Sequence, residues 1–259
     1  MSIGQATRDR IAVGVGLLAL WQLASMVYGA YWLSPPHTTL IRLLKGLATG
    51  EYAFHAAYTG GAALAGFVLG GVPGVVLPLL LRRMPLVRRI LDPFLVAAYG
   101  LPKLALAPLF ILWLGIGIEA KVVLVASVVF FLVFFTTMAG VDSIERRTVQ
   151  MACVVGASDY QVARHIVWPS AIPFIFAGLR VATPYAIGGV VISELISSNR
   201  GLGYLVQLGA TNFSTPDVLA AIVAITLLTG ISSWLVGIAE SRLMRWRGKD
   251  GVAVAVVGE

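Results

Sequence analysis

Lys103, Arg180 and Glu194 are ionisable side chains embedded in otherwise apolar stretches of this 259-residue chain. A charge inside a bilayer costs several kcal/mol unless it meets a partner or a water-filled cavity, so each is a candidate for lining the path of a solute. Lys103, between Pro102 and Pro108, has the chemistry to line a gate or attract an anion. Arg180 has two plainer uses, snorkelling or pairing. Glu194 is placed to cap a gate at the outer mouth. Bond-making chemistry has much less to work with. It needs paired carboxylates, a Ser/His pair or metal ligands at a common depth, and the apolar stretches offer little beyond Glu194. His37, His55 and His165 are far apart in sequence and Cys153 is the single cysteine, so neither an internal disulfide nor a zinc cluster is indicated. None of the four lysines completes a G-x-x-x-x-G-K-[ST] loop.

The elements holding these residues must be membrane spans. Hydrophobic residues make up 58% of the chain and charged ones 12%, against about 25% charged in soluble domains. With a mean hydropathy of +0.89, there is too little polar surface for an ordinary soluble enzyme. Crossing about 30 Å of hydrocarbon takes about 20 apolar residues. Five charge-poor runs meet that length: Ile11–Leu33, Tyr52–Leu81, Val122–Val141, Ile172–Ser193 and Val218–Ala239. A sixth, irregular span is expected between Asp92 and Glu119, interrupted by Lys103 and bent by Pro93, Pro102 and Pro108. The first run follows Arg8 and Arg10 like a signal peptide. At 23 residues with no polar cleavage region after it, it reads as an anchor.

The net charge of +7 is a topology signal. With the N-terminus in the cytoplasm, 13 of the 19 basic residues fall inside: Arg8, Arg10, Arg82, Arg83, Arg88, Arg89, Arg146, Arg147, Arg164, Arg242, Arg245, Arg247 and Lys249. Arg42, Lys45, Lys121 and Arg200 fall outside. The positive-inside rule therefore puts both termini in the cytoplasm, and no nucleic-acid partner is needed to explain the charge. No long linker or internal repeat divides the chain, which reads as one membrane domain over 1–259. Ala62, Gly66, Gly70 and Gly74 form a small-residue stripe that lets helices approach closely, and Gly178, Ala182 and Ala186 repeat it in the fifth span. Either stripe suits packing within one subunit or between two.

Two connections stand out. Ser34–Glu51 suits a short surface helix or loop. On the cytoplasmic side, Thr148–Val155 reads as an amphipathic helix, Gly156 as a breaker, and Ser158-Asp159-Tyr160-Gln161 as a capping box opening a second helix. Pro169 and Pro173 are expected to close that helix and start the next span. Such a segment either rests on lipid headgroups or docks a cytoplasmic partner.

This segment resembles the cytoplasmic motif of bacterial ABC-importer permeases: E-A-A, three residues, G, nine residues, then I-x-L-P. Gln150-Met151-Ala152, Gly156 and Ile166-Val167-Trp168-Pro169 match its spacing, with Gln, Met and Trp in place of Glu, Ala and Leu. Leu101-Pro102-Lys103 through Pro108-Leu109, Trp113-Leu114-Gly115-Ile116-Gly117, Gly178-Leu179-Arg180, and Ser193-Glu194-Leu195 with Gly201-Leu202-Gly203-Tyr204 are similar to the nitrate/sulfonate/taurine-type branch. Similar stretches run over about 58–242, with the coupling segment at 148–169. The resemblance implies an all-α polytopic membrane protein of six transmembrane helices with a type I ABC importer-like permease fold, in the bacterial inner membrane. It implies two ATP-binding subunits that carry the ATP and magnesium, no cofactor on this chain, a second permease copy giving a homodimer, and an extracytoplasmic substrate-binding protein. Gln150, Met151, Ala152, Gly156, Ile166 and Pro169 would then be ATPase-coupling residues. The solute would be a small anion such as a sulfonate or nitrate, or a vitamin or precursor. An ion-gradient-driven secondary transporter is the alternative, and an intramembrane enzyme a weaker one. Paired broken repeats would mark such a transporter, yet only one broken span is evident.

Overall fold

The computed structural model describes residues 3–244. Arg245, Arg247 and Lys249, three of the charges expected on the cytoplasmic side, lie outside the described residues, as does the side chain of Arg10. Among the described residues every regular element is helical. In chain order these are α1 (Ile3–Tyr28), α2 (Pro36–Ala48), α3 (Glu51–Leu81), α4 (Pro85–Gly100), a 3-10 turn (Lys103–Leu106), α5 (Ala107–Leu114) and α6 (Ile118–Asp142). There follow α7 (Arg146–Val154), α8 (Asp159–Val162), a π-turn (Ala163–Val167), α9 (Trp168–Ile196), α10 (Leu202–Thr211) and α11 (Thr215–Leu243). Among the described residues five helical segments are long and apolar enough to cross a membrane. The count reaches six when α4 and the following segment, which meet at a 75° bend, are taken as one broken span.

The boundaries follow local chemistry. The first span stops at Tyr28 rather than Leu33, because Gly29 adopts φ 85° and its N–H closes the last turn on the Ser25 carbonyl at 3.0 Å. Ser25 Oγ then donates to the Leu33 carbonyl at 2.7 Å and Trp21 Nε1 to the Ser34 carbonyl at 3.0 Å, folding that connection back. Within Ser34–Glu51, Pro36 opens α2 at the position where its missing N–H costs nothing.

The chain forms two compact units whose boundaries fall inside α3, α9 and α11. One comprises residues up to Gly61 with Val191–Leu228, the other Ala62–Val190 with the segment from Thr229 on. In the first, Leu43, Tyr52, Leu202, Leu205, Ala220, Ala221 and Ala224 make the core. Arg42, on α2, ties three helices together by donating to Glu51 at 3.0 Å and to Asp217. Those hydrogen bonds, Glu51 first, raise the guanidinium further above its ordinary pKa.

The second unit is built on α6. The small-residue face of α3 presses against it, in step with its four-residue ridges. A Cβ at Gly66 would lie 2.6 Å from Val125 Cβ and 2.9 Å from the Val122 carbonyl. At Gly70 it would meet Ala126 Cα and Phe130 N, both at 2.9 Å, and at Gly74 the Phe130 carbonyl at 3.0 Å. Ala62 is wholly buried on the same line. On α9, Gly178 allows a similar approach to Thr136 of α6, and Ala182 and Ala186 are buried below it. These contacts lie within one subunit, and dispersion at close range is their main attraction where lipid removes the hydrophobic one.

Candidate functional site

The cytoplasmic segment is organised by two local caps. Helix α7 ends in a Schellman turn: the Gly156 N–H donates to the Cys153 carbonyl at 3.0 Å, and the Ala157 N–H to the Ala152 carbonyl at 2.9 Å. Gly156 has φ 84°, and a Cβ there would meet nothing within 4 Å, so the backbone angle alone calls for glycine. Two residues on, Ser158 caps α8. Its N–H donates to Gln161 Oε1 at 2.8 Å and its Oγ accepts from the Gln161 N–H at 3.4 Å, completing the capping box.

The two helices bracket a shallow groove lined by Ala152, Gly156, Gln161 and Ile166. Val155, which also lines it, is 84% exposed, and beside it Met151 and Val154 stand 69% and 86% exposed. Gln150 is exposed as well, while Ile166 and Pro169 are half-buried. Apolar side chains presented on a doubly capped, polar-flanked segment are what a helix-in-groove joint requires.

The junction to the span differs from expectation. Pro169 and Pro173 do not end the helix: the chain runs from Asp159 to Ile196 as one apolar helical stretch. A π-turn makes this possible. Trp168 donates to the carbonyl five residues back, at Ala163, and the wider turn accommodates Pro169, which has no N–H to give and whose ring would crowd a regular α-turn. Pro173 and Pro184 are carried inside α9.

Each of the three charged span residues has protein partners. Lys103 does not sit at mid-helix, because α4 breaks at Gly100 and the lysine opens the 3-10 turn beyond the bend. Its Nζ donates to the carbonyls of Tyr99 (2.9 Å), Ala98 (3.0 Å) and Leu101 (3.4 Å). It also lies 4.3 Å from the Phe131 ring centroid. Arg180 pairs with Glu240 of α11. Glu194 is 1% exposed. It accepts from Thr59 Oγ1 at 3.0 and 3.1 Å and from the Gly203 N–H at 2.9 Å. Thr59 Oγ1 in turn accepts from the Leu202 N–H at 2.8 Å, and His55 Nδ1 from the Gly201 N–H at 2.8 Å. Together they clamp the start of α10, whose buried first N–H groups would otherwise be unsatisfied.

Thr59 and His55 carry no signal in the sequence, since their partners lie 143 and 146 positions away. Lys121, assigned by charge topology to the outer side, is 2% exposed near the start of α6. Among the described residues no cluster of His, Cys, Asp or Glu could hold a metal. The Thr59 clasp gives a direct expectation. Thr59→Val keeps the shape but strands the Leu202 N–H and deletes the hydroxyl's bonds to Glu194, at a cost of about 1–3 kcal/mol, whereas Thr59→Ser retains these bonds. Thermal unfolding in detergent should show a lowered midpoint for valine and a near-normal one for serine; equal midpoints would remove the clasp.

The family of binding-protein-dependent transport system inner membrane components matches residues 62–245. The chain is 34% identical to a putative aliphatic sulfonates transport permease protein of Escherichia coli, over 90% of this chain and 89% of that one. It is 32% identical to a riboflavin transport system permease protein of Chloroflexus aurantiacus, over 89% and 87%. Among solved structures, an inward-facing conformation of the MetNI methionine ABC transporter covers 74% of this chain and 94% of its own, with a TM-score of 0.58 at 17% identity. That likeness is one of fold.

Proposed function

From the premise that this chain belongs to the binding-protein-dependent transport system inner membrane components, and so is the multi-pass inner-membrane permease subunit of an ABC importer working with separate ATPase and substrate-binding partners, we propose how it is driven and what it carries. The segment Gln150–Pro169 inserts into a groove on the ATP-binding subunit. Met151, Val154 and Val155 supply the apolar contact, Gly156 sets the turn, and Ile166 and Pro169 join the segment to α9. Two permease copies pair with each other and with two ATP-binding subunits, which hold ATP and magnesium. Both termini face the cytoplasm, and the chain acts as one domain. The observation that carries this reading is the doubly capped α7–α8 segment with its exposed apolar face.

Nucleotide-driven closure of the ATP-binding subunits would move α9 through the helical stretch running continuously from Asp159. The solute route lies along the spans bearing Lys103, Arg180 and Glu194, which shape it through the helices they hold. Relatives named for sulfonates and riboflavin favour a small sulfonate-like anion or a vitamin-type heterocycle as the solute.

Tagged permease extracted from its native membrane in mild detergent is expected to bring down an ATP-binding subunit. Repeated extracts containing the permease alone would sink the proposal and revive gradient-driven transport.

A further inference from the structure

We infer that Lys103 is the positioning residue that holds the broken third span at its 75° bend, doing so from a seat on the Phe131 ring. The bend exposes carbonyls that a continuous helix would have used. Helix α4 ends at Gly100, its C-cap is a long 3.4 Å bond from the Leu101 N–H to the Ala98 carbonyl, and Pro102 contributes no donor at all. Such oxygens are costly within a membrane unless the protein satisfies them. An ammonium has three hydrogens to donate, and Lys103 has three acceptors around it, the carbonyls of Ala98, Tyr99 and Leu101. Its charge lies 4.3 Å from the Phe131 centroid and 5.3 Å from that of Tyr99, within reach of the negative faces of both rings.

The neighbourhood makes this seat rigid. Tyr99 packs on Phe135 at 4.9 Å, and Phe131 stacks with Phe135 at 6.5 Å, so the last turn of α4 leans on an aromatic run of α6. At the other end of α4, Arg88 forms a two-pronged pair with Asp142 of α6, both bonds at 2.6 Å. The first arm of the broken span is thus fixed at both ends, and Lys103 ties it to the second arm, the 3-10 turn and α5, which also pack on α6. With its hydrogens committed to backbone oxygens, Lys103 acts on transport through the angle of α5 and not by contact with solute.

Two spin labels read that angle directly. Leu91→Cys on α4 and Leu112→Cys on α5, both at exposed positions, are labelled in the full chain with Cys153→Ser, diluted with unlabelled protein in nanodiscs without added solute. The distance between them is measured by pulsed electron resonance. The expected result is one narrow distribution for the parent and for Phe131→Tyr, which keeps the ring, and a widened or split one for Lys103→Met and for Phe131→Leu. The double variant Lys103→Met with Phe131→Leu is expected to be no wider than the broader single variant. A narrow, unshifted distribution in Lys103→Met overturns the inference, and so does one in Phe131→Leu. If Lys103→Met yields no folded protein, Phe131→Leu decides alone. The readout requires no ATP-binding subunit, so it stands apart from any failure of the coupling proposal.

Discussion

Gly70→Val should lower the thermal stability of the permease sharply. The added Cβ would press on the Ala126 carbonyl, on Ala126 Cα and on Phe130 N, and none of these can rotate aside as a side chain could. Overpacking typically costs 1–3 kcal/mol where side chains can yield; here two helix backbones must separate, which puts the cost at about 3 kcal/mol or more. For a chain of this size that corresponds to a fall in melting temperature of roughly 6–12 °C. Gly188→Ala is the matched control, because a Cβ there meets nothing within 4 Å. Detergent-solubilised protein should melt much lower for Gly70→Val and close to the parent for Gly188→Ala. Equal melting of all three would mean that α3 and α6 do not pack at this point.

Gly156→Pro is expected to leave the permease folded and to disconnect it from its energy source. Proline fixes φ near −65° where the turn needs 84°, and it deletes the N–H that bonds the Cys153 carbonyl. The turn between α7 and α8 then cannot form, while the spans are untouched. Alanine is the graded case. A left-handed φ costs an ordinary residue roughly 1–2 kcal/mol, and if that strain is relieved when the joint opens, binding of the ATP-binding subunit weakens about tenfold. Titrating that subunit onto permease in nanodiscs should rank glycine above alanine and alanine above proline. Proline binding as tightly as glycine would rule out this turn as the coupling joint.

The parts of the molecule legible in the sequence are those decided by near neighbours. The turn at Gly156 and the capping box at Ser158 each depend on residues no more than five positions apart, and both stand where the letters put them. The apolar runs also place the spans, with ends displaced by single local features such as Gly29. What was not legible depends on distance. Thr59 reaches Glu194 across 135 positions, and Lys103 finds Phe131 only because α4 folds back on α6. Neither pairing follows from residue type, and an unpaired reading of these charges therefore points to solute when the structure supplies protein partners. The prolines misled for another reason. The rule that proline ends a helix assumes a regular turn, whereas Pro169 is taken up by a π-turn and Pro173 remains inside α9.

The π-turn at Ala163–Val167 also gives the motif's spacing a meaning other than length. Each residue of an α-helix advances the chain about 100° around its axis, and a π-turn absorbs an extra residue by unwinding locally. The interval from Gly156 to Pro169 therefore fixes an azimuth: it sets which way α7 points when α9 is held by its neighbours. A one-residue insertion or deletion in this interval would act like a shaft keyed into the wrong slot, with torque still transmitted but delivered along a bearing that no longer faces the ATP-binding subunit.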